Sequence, residues 1–408
     1  MSFHSDHRSI IHLDLDTFFV SCERVQDNRL SGKPVLIGGT SDRGVVASCS
    51  YEAREYGIHS AMPMKLARQL CPHAIVIRGN SGTYSKFSDM VTEIIKERAP
   101  LFEKSSIDEF YVDVTGMDKF FGCYKWAIEL REKIIKETHL PISFGLSTSK
   151  TVAKVGTGEA KPNNYIQIVQ GQEKPFLAPL SVRKIPMVGE QTHRLLRSMG
   201  VEYVRTVQEM PLEMMDRALG KNGVSLWKKA QGIDNTPVIP YHERKSISIE
   251  RTFEQDTIDV VKLKSIITAM AENLAYQLRN GDKLTSCVTV RLRYSDFQTY
   301  SKQKRIPYTA TDHTLIQTTL DLFDQLYDRR VLVRLVGVKF SHLAEGARQI
   351  NLFEDDMALL HLYQAMDKIR NRYGQDAVKR AVAIESQGIG RANPFNGLPP
   401  VIPAHRRV

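Results

Sequence analysis

The 408-residue sequence has few cysteines, no long apolar run and no internal repeat, and each lack excludes something. Its five cysteines, Cys22, Cys49, Cys71, Cys123 and Cys287, are isolated and odd in number, with no CxxC spacing. That excludes a disulfide framework or a cysteine zinc site and predicts reduced core thiols in a cytoplasmic protein. No apolar stretch approaches the roughly 18–20 residues that cross a bilayer, so no membrane association is expected. The opening MSFHSDHRS is too polar for a signal peptide. Without long low-complexity segments the chain is left with ordinary globular domains, roughly two to four at this length.

What is present begins with charge. The formal net charge is +10 and the isoelectric point near 9.2, which tilts the expected partner toward a polyanion. The run Ile10–Asp16 alternates, placing Ile11, Leu13 and Leu15 on one face of a strand and His12, Asp14 and Asp16 on the other. A second strand is predicted over Ile107–Val114, with shorter elements at Pro34–Ile37 and Val45–Ser48 and a helix from Tyr51 to near Gly57. Helical periodicity returns at Lys125–Glu137, before a strand at Ile142–Leu146 and a further helix from Ser149. Short helical pieces punctuated by glycine fill Val182–Gln231, and the proline-containing stretch Asn235–Arg244 reads as a linker. A helix near 259–280 and strands at Cys287–Tyr294 and Val331–Phe340 predict a small α+β domain. Pro394–Val408 reads as a tail.

Acids are disfavoured within strands. Asp14 on the first strand and the pair Asp108 and Glu109 on the second therefore require a reason. If the two strands are neighbours, the three carboxylates gather where they cannot all ionise without a cation. Carboxylate and water oxygens suit magnesium, and a paired site suits in-line phosphoryl transfer. Regular strand geometry sends Asp108 and Glu109 to opposite faces, so sharing a site requires a turn or bulge near Ser105 and Ser106.

Four motifs then coincide. Ser106–Asp113 resembles the SIDE(x)(Y/F)xD signature of Y-family translesion DNA polymerases, and Asp14–Phe19 resembles their DxDxFF motif. Tyr51–Arg54 matches YEAR, and Ala160–Asn163 matches AKPN, in the family's order across roughly residues 10–345. The resemblance implies an α+β multidomain, right-hand architecture. Its palm, a mixed α/β sheet, would span 1–20 and 80–170, around small fingers at 21–79. A helical thumb with a helix-hairpin-helix would follow at 171–234, then the linker 235–244, an α+β little finger at 245–342 and a clamp-binding motif with tail at 343–408. It further implies template-directed, low-fidelity addition of deoxynucleotides to a primer 3′ end. Asp14, Asp108 and Glu109, with the Leu15 carbonyl, would hold two Mg²⁺, for which Mn²⁺ may substitute. Asp16 and Asp113 are outside that set.

Tyr51 and Arg54, three apart on a helix, share a face suited to one phosphate. Lys161 and Ser48 complete the expected triphosphate contacts, with Phe18 beside the nucleotide and Phe19 at the steric-gate position that excludes a 2′-hydroxyl. The hairpin around Val188 and Gly189 is expected to meet DNA phosphates, although Met187 stands where the family has glycine. Gly156–Gly158 and Asn164 are further departures from the family pattern, and neither touches the acids. Arg291, Arg293, Lys302, Lys304 and Arg305 are expected to form a basic DNA-facing side of the little-finger sheet, opposite an apolar face. Gln349, Leu352 and Phe353 are the fixed positions of a QxxLF pentapeptide that bacterial replication factors insert into the β-type sliding clamp. The expected substrates are primer–template DNA and deoxynucleoside triphosphates, acted on by a monomer in the cytoplasm, at the nucleoid during repair. The alternative is a non-catalytic DNA- and clamp-binding scaffold, disfavoured because such relatives lose the acids that this chain keeps.

Overall fold

The computed structural model describes residues 8–117, 122–345, 357–374 and 377–383. Twelve strands form three sheets among these residues. In chain order they are β1 (Ile10–Leu15), β2 (Val35–Gly38), β3 (Val46–Cys49), β4 (Ile75–Ile77), β5 (Leu101–Lys104), β6 (Glu109–Asp113), β7 (Ile142–Ser147), β8 (Tyr165–Gln167), β9 (Ser246–Thr257), β10 (Lys283–Tyr294), β11 (Thr299–Thr309) and β12 (Val333–Glu345). The chain divides into two compact units that meet between His242 and Glu243.

In the first unit, β1 lies at the centre of a five-stranded sheet ordered β5-β6-β1-β7-β8, antiparallel to both β6 and β7. The expected alternation holds: Ile11, Leu13 and Leu15 are buried with Phe110, Val112, Phe144 and Leu146 beneath the helices Ser81–Arg98 and Cys123–Thr138. The other face is covered by the helix Lys150–Ala160. It approaches this closely because Gly145 on β7 has no side chain; a Cβ there would overlap the Ala153 carbonyl oxygen. The sheet β3-β2-β4 carries its own small core of Leu36, Val46, Cys49, Ala53, Met64 and Cys71. All five cysteines are free and buried. Five helices between Glu173 and Ala230 enclose another core around Leu196, Val204, Met215 and Leu226.

The stretch read as a linker is fastened over its first half. Asp234 Oδ2 accepts from the Thr151 amide (3.2 Å) and hydroxyl (2.7 Å). Val238 is buried against Ile10, Tyr111 and Ala153. The Ile239 amide donates to Glu103 Oε2 (2.7 Å), which also takes the Lys150 ammonium (2.5 Å). Lack of periodicity marked a segment without regular structure, not one without contacts.

The second unit is an antiparallel sheet, β11-β10-β12-β9, with the helices Val260–Asn280 and Asp312–Leu326 packed on one face. Val288, Val290, Leu292 and Tyr294 are fully buried, as their period predicts. The expected single basic face is divided. Lys302 pairs with Val290 and Lys304 with Val288, so these lysines share the apolar side at the exposed β11 edge. Residues directly opposite in an antiparallel pair project to the same side, which leaves Arg291, Arg293 and Arg305 on the open face. A helix at Met357–Tyr373 is docked on this unit by buried charge pairs. Arg279 Nε and Nη2 donate to Asp367 (2.6 and 2.9 Å), and Arg370 Nη2 donates to Glu272 Oε1 (2.6 Å). The clamp motif at Gln349, Leu352 and Phe353 lies outside the described residues. Among the described residues no helix is long and apolar enough to cross a membrane.

Candidate active site

Asp14 stands opposite Glu109 in the β1–β6 register, and the Leu15 amide donates to the Asp108 carbonyl (3.0 Å). The required irregularity is a tight turn. The Ser105 and Ser106 amides both donate to the Glu109 carbonyl (3.0 and 3.3 Å), and Ser106 Oγ accepts from the Asp108 and Glu109 amides (3.3 and 3.1 Å). The Ser106 hydroxyl also binds Asp108 Oδ1 (2.5 Å). Asp108 therefore precedes β6 instead of alternating within it, which corrects the longer strand expected from Ile107.

Two lysines from the covering helix and the segment after it reach the acids. Lys154 Nζ lies 2.5 Å from Glu109 Oε2, and Lys161 pairs with Asp14 and stands 3.6 Å from Asp16 Oδ1. Burial raises Asp14 to about 7, with Glu109 and Asp108 adding to the rise against Lys161. Burial likewise raises Asp108. Burial would also raise Glu109, but His12 and Lys154 outweigh it and hold that carboxyl low, at about 2. Burial lowers His12 to about 4, leaving it neutral near pH 7. Ligand atoms of His12, Asp14 and Glu109 lie within 4.8 Å of one another; Asp108 falls outside that set. Oxygen donors whose charge is now balanced by lysine ammonium groups are the chemistry a divalent cation requires. Asp16 is occupied structurally, accepting from Ser143 Oγ (2.8 Å) and the Asn163 amide (2.6 Å), and Asp113 accepts from the Thr115 amide (3.0 Å).

Phe18 and Phe19 open the helix Phe18–Gln26, which follows β1 directly. Phe18 is buried in the core, whereas Phe19 is partly buried and stacked on Tyr84, with centroids 4.5 Å apart. The Tyr84 hydroxyl donates to Glu23 Oε1 (2.6 Å), one turn along from Phe19. Ser48 is buried on β3. Tyr51 and Arg54 occupy one short helix, with the guanidinium 4.9 Å from the Tyr51 ring centre. The Tyr51 hydroxyl is buried without a hydrogen-bond partner, and burial and Asp16 push it up to about 12.

At the hairpin, the Val188 and Gly189 amides donate to the Ile185 and Met187 carbonyls (3.2 and 3.1 Å), so these two N–H groups are engaged within the protein. Met187 has φ +83°, the left-handed region that its glycine counterpart would occupy freely. Met187→Gly is expected to stabilise the protein by about 1 kcal/mol, read as a higher urea midpoint. In the second unit, Arg291 pairs with Glu250 (2.8 Å), and Arg293 Nε donates to Thr299 Oγ1 (2.8 Å).

Sequence reasoning assigned no role to Lys154, Tyr84 or His12. His12 was visible on the face of Asp14, and Lys154 sits two helical turns before Lys161; Tyr84 left no local signal.

A family model described as the impB/mucB/samB family matches residues 13–158, and the C-terminal-domain model of that family matches 244–352. A DNA polymerase-iota thumb-domain model matches residues 183–234. A DNA polymerase IV of Dehalococcoides mccartyi is 37% identical over 376 residues, 91% of this chain and 96% of that protein. The chain belongs to the Y family of DNA polymerases. Another Y-family relative, a DNA polymerase IV of Exiguobacterium sibiricum, is 37% identical over 82% of this chain and 94% of its own length. A solved Y-family polymerase chimera matches with TM-score 0.72 at 26% identity, covering 83% of this chain and 100% of that one. DinB from Sulfolobus solfataricus matches with TM-score 0.57 at 28% identity over the same shares. As a Y-family member the chain is a translesion DNA polymerase, dependent on divalent metal and acting on primer–template DNA with nucleotide substrates.

Proposed function

We propose that Asp14, Asp108 and Glu109, with the Leu15 carbonyl, are the metal ligands and catalytic acids of this polymerase, and that the metal is a pair of Mg²⁺ ions replaceable by Mn²⁺. The observation that carries this reading is the β1–β6 register with the Ser106 turn, which brings acids from two strands to one place. A bound ion pair would supply acidification of the primer 3′-hydroxyl and neutralisation of charge on the triphosphate and departing pyrophosphate. The chain's own residues bind and orient. Lys161, Arg54, Tyr51 and Ser48 take the triphosphate, Phe18 supports the nucleotide, and Phe19 closes the space beside the sugar C2′.

Lys161→Ala tests the binding part separately from the acids. Loss of a charge-assisted contact to phosphate predicts a fall in kcat/KM for deoxynucleotide on the order of 10²-fold, about 2.7 kcal/mol. Affinity for primer–template DNA should stay within twofold. An unchanged nucleotide KM and kcat would remove Lys161 from the site.

The domains would be palm at 1–20 and 80–170, fingers at 21–79, thumb at 171–234 and little finger at 245–342. The duplex would meet backbone around Val188 and Gly189, and Arg291, Arg293 and Arg305 on the open sheet face, with Lys302 and Lys304 reaching from its edge. The QxxLF pentapeptide would tether the enzyme, working as a monomer at the nucleoid, to the sliding clamp. Replacing Gln349, Leu352 and Phe353 together by alanine should abolish stimulation of primer extension by a bacterial clamp and leave clamp-free extension unchanged. Stimulation that survives the triple substitution would remove the motif.

A further inference from the structure

Asn163 lies two residues beyond Lys161, in the segment that joins the helix Lys150–Ala160 to β8. Its amide donates to Asp16 Oδ2 (2.6 Å), an oxygen that also accepts from Ser143 Oγ on β7 (2.8 Å). Its carbonyl and its side-chain Oδ1 both accept from Arg131 Nη2 (2.8 and 2.6 Å). The residue has φ +47°, a left-handed conformation that asparagine tolerates and that surrounding contacts must hold in place. Asp16 supplies one such contact from a fixed position: it is 1% exposed, and its own amide donates to the Pro141 carbonyl (2.9 Å).

Arg131 supplies the others from the helix Cys123–Thr138, 32 residues earlier in the chain. Its Nε donates to the Ile142 carbonyl on β7 (2.8 Å), and its guanidinium carbon lies 5.4 Å from the centre of the Tyr165 ring on β8. One planar fork thus joins two strands of the sheet to the segment after Lys161, a geometry that an ammonium on a flexible stem does not reproduce. Lys161 itself is tied by its amide to the Thr157 carbonyl (3.1 Å) and by its ammonium to Asp14. A triphosphate that takes the ammonium takes it from Asp14, after which the backbone on either side determines where the lysine stands. Misplacement of a binding group by about 1 Å can lower a rate on the order of 10²-fold.

We propose that Arg131 is a positioning residue of the nucleotide site: by holding Asn163 against Asp16, it fixes the backbone beyond Lys161 and so the approach of that ammonium to the triphosphate. The role belongs to the shape of the guanidinium and not to its charge. It also gives a purpose to Asn163, which closes the Ala160–Asn163 motif. The inference rests on the reading of Lys161 as a triphosphate contact.

The test is single-nucleotide incorporation by the full-length protein on primer–template DNA with Mg²⁺, for Arg131→Ala, Arg131→Lys, Lys161→Ala and the double variant Arg131→Ala with Lys161→Ala. Arg131→Ala should raise the nucleotide KM about tenfold, with kcat within about threefold and primer–template affinity within about twofold of wild type. Arg131→Lys keeps the charge and should show the same defect. In the Lys161→Ala background the arginine substitution should cost less than about twofold more, because a residue acting through the lysine has nothing left to place. Asn163→Gly, which keeps the left-handed backbone and removes the Oδ1 acceptor, makes the same comparison if Arg131→Ala does not fold. Wild-type kinetics in Arg131→Ala or Arg131→Lys, or an equal loss in both backgrounds, would overturn the inference and leave Lys161 in place. Wild-type kinetics in Lys161→Ala would overturn the reading of the lysine and this inference with it.

Discussion

Asp108→Ala should abolish primer extension on an undamaged template while leaving DNA binding intact. The carboxylate sits in the turn before β6, close enough to Asp14 and Glu109 for their charges to act on one another. Removing one of three acids from such a site is expected to lower single-nucleotide incorporation by 10³-fold or more, about 4 kcal/mol of transition-state stabilisation. Folding should not suffer. Burial raises the Asp108 carboxyl, so its ionised form is less stable in the folded protein than in the unfolded chain near neutral pH. Neutralising it removes a small destabilising contribution, and the turn keeps the Ser106 bonds to the Glu109 amide and carbonyl. The measurement is rapid-quench incorporation with Mg²⁺, alongside a urea melt of both proteins. Wild-type rates in a folded Asp108→Ala protein would dismiss the carboxylate from catalysis.

Phe19→Ala should open the enzyme to ribonucleotides, raising their incorporation relative to deoxynucleotides on the order of 10²-fold, about 2.7 kcal/mol. The ring is braced from behind. It stacks on Tyr84, which is 3% exposed and tied by its hydroxyl to Glu23, so an extra hydroxyl on the sugar cannot push it aside. Deoxynucleotide incorporation should change far less, because nothing on that sugar meets the missing ring. Competition between matched ribo- and deoxynucleotides on one primer gives the ratio directly. An unchanged ratio would remove Phe19 as the gate.

Much of this was legible in the sequence because it depends on local period. Burial of Ile11, Leu13 and Leu15 follows from alternation alone, and with it the turning of Asp14 to the opposite face. What could not be read depends on partners distant in sequence. The bend at Asp108 comes from a serine hydroxyl spanning two amides, for which residue types give only permission. Lys302 and Lys304 were assigned to the wrong side of the sheet because the β10–β11 pairing register is not contained in either strand's own alternation. The sequence held no sign that Arg370 and Asp367 are buried. Both are buried because Glu272 and Arg279, about ninety residues earlier, supply their counter-charges.

The fastening of residues 234–239 has a mechanical consequence. Between Ile239, held by Glu103, and Ser246, the first residue of β9, lie only the six residues 240–245. A tether that short reaches about 20 Å when fully stretched. A leash of this reach keeps each unit at millimolar effective concentration for the other. On the proposed reading, in which both units contact duplex, DNA released by one unit would meet the other before it could escape to bulk solvent.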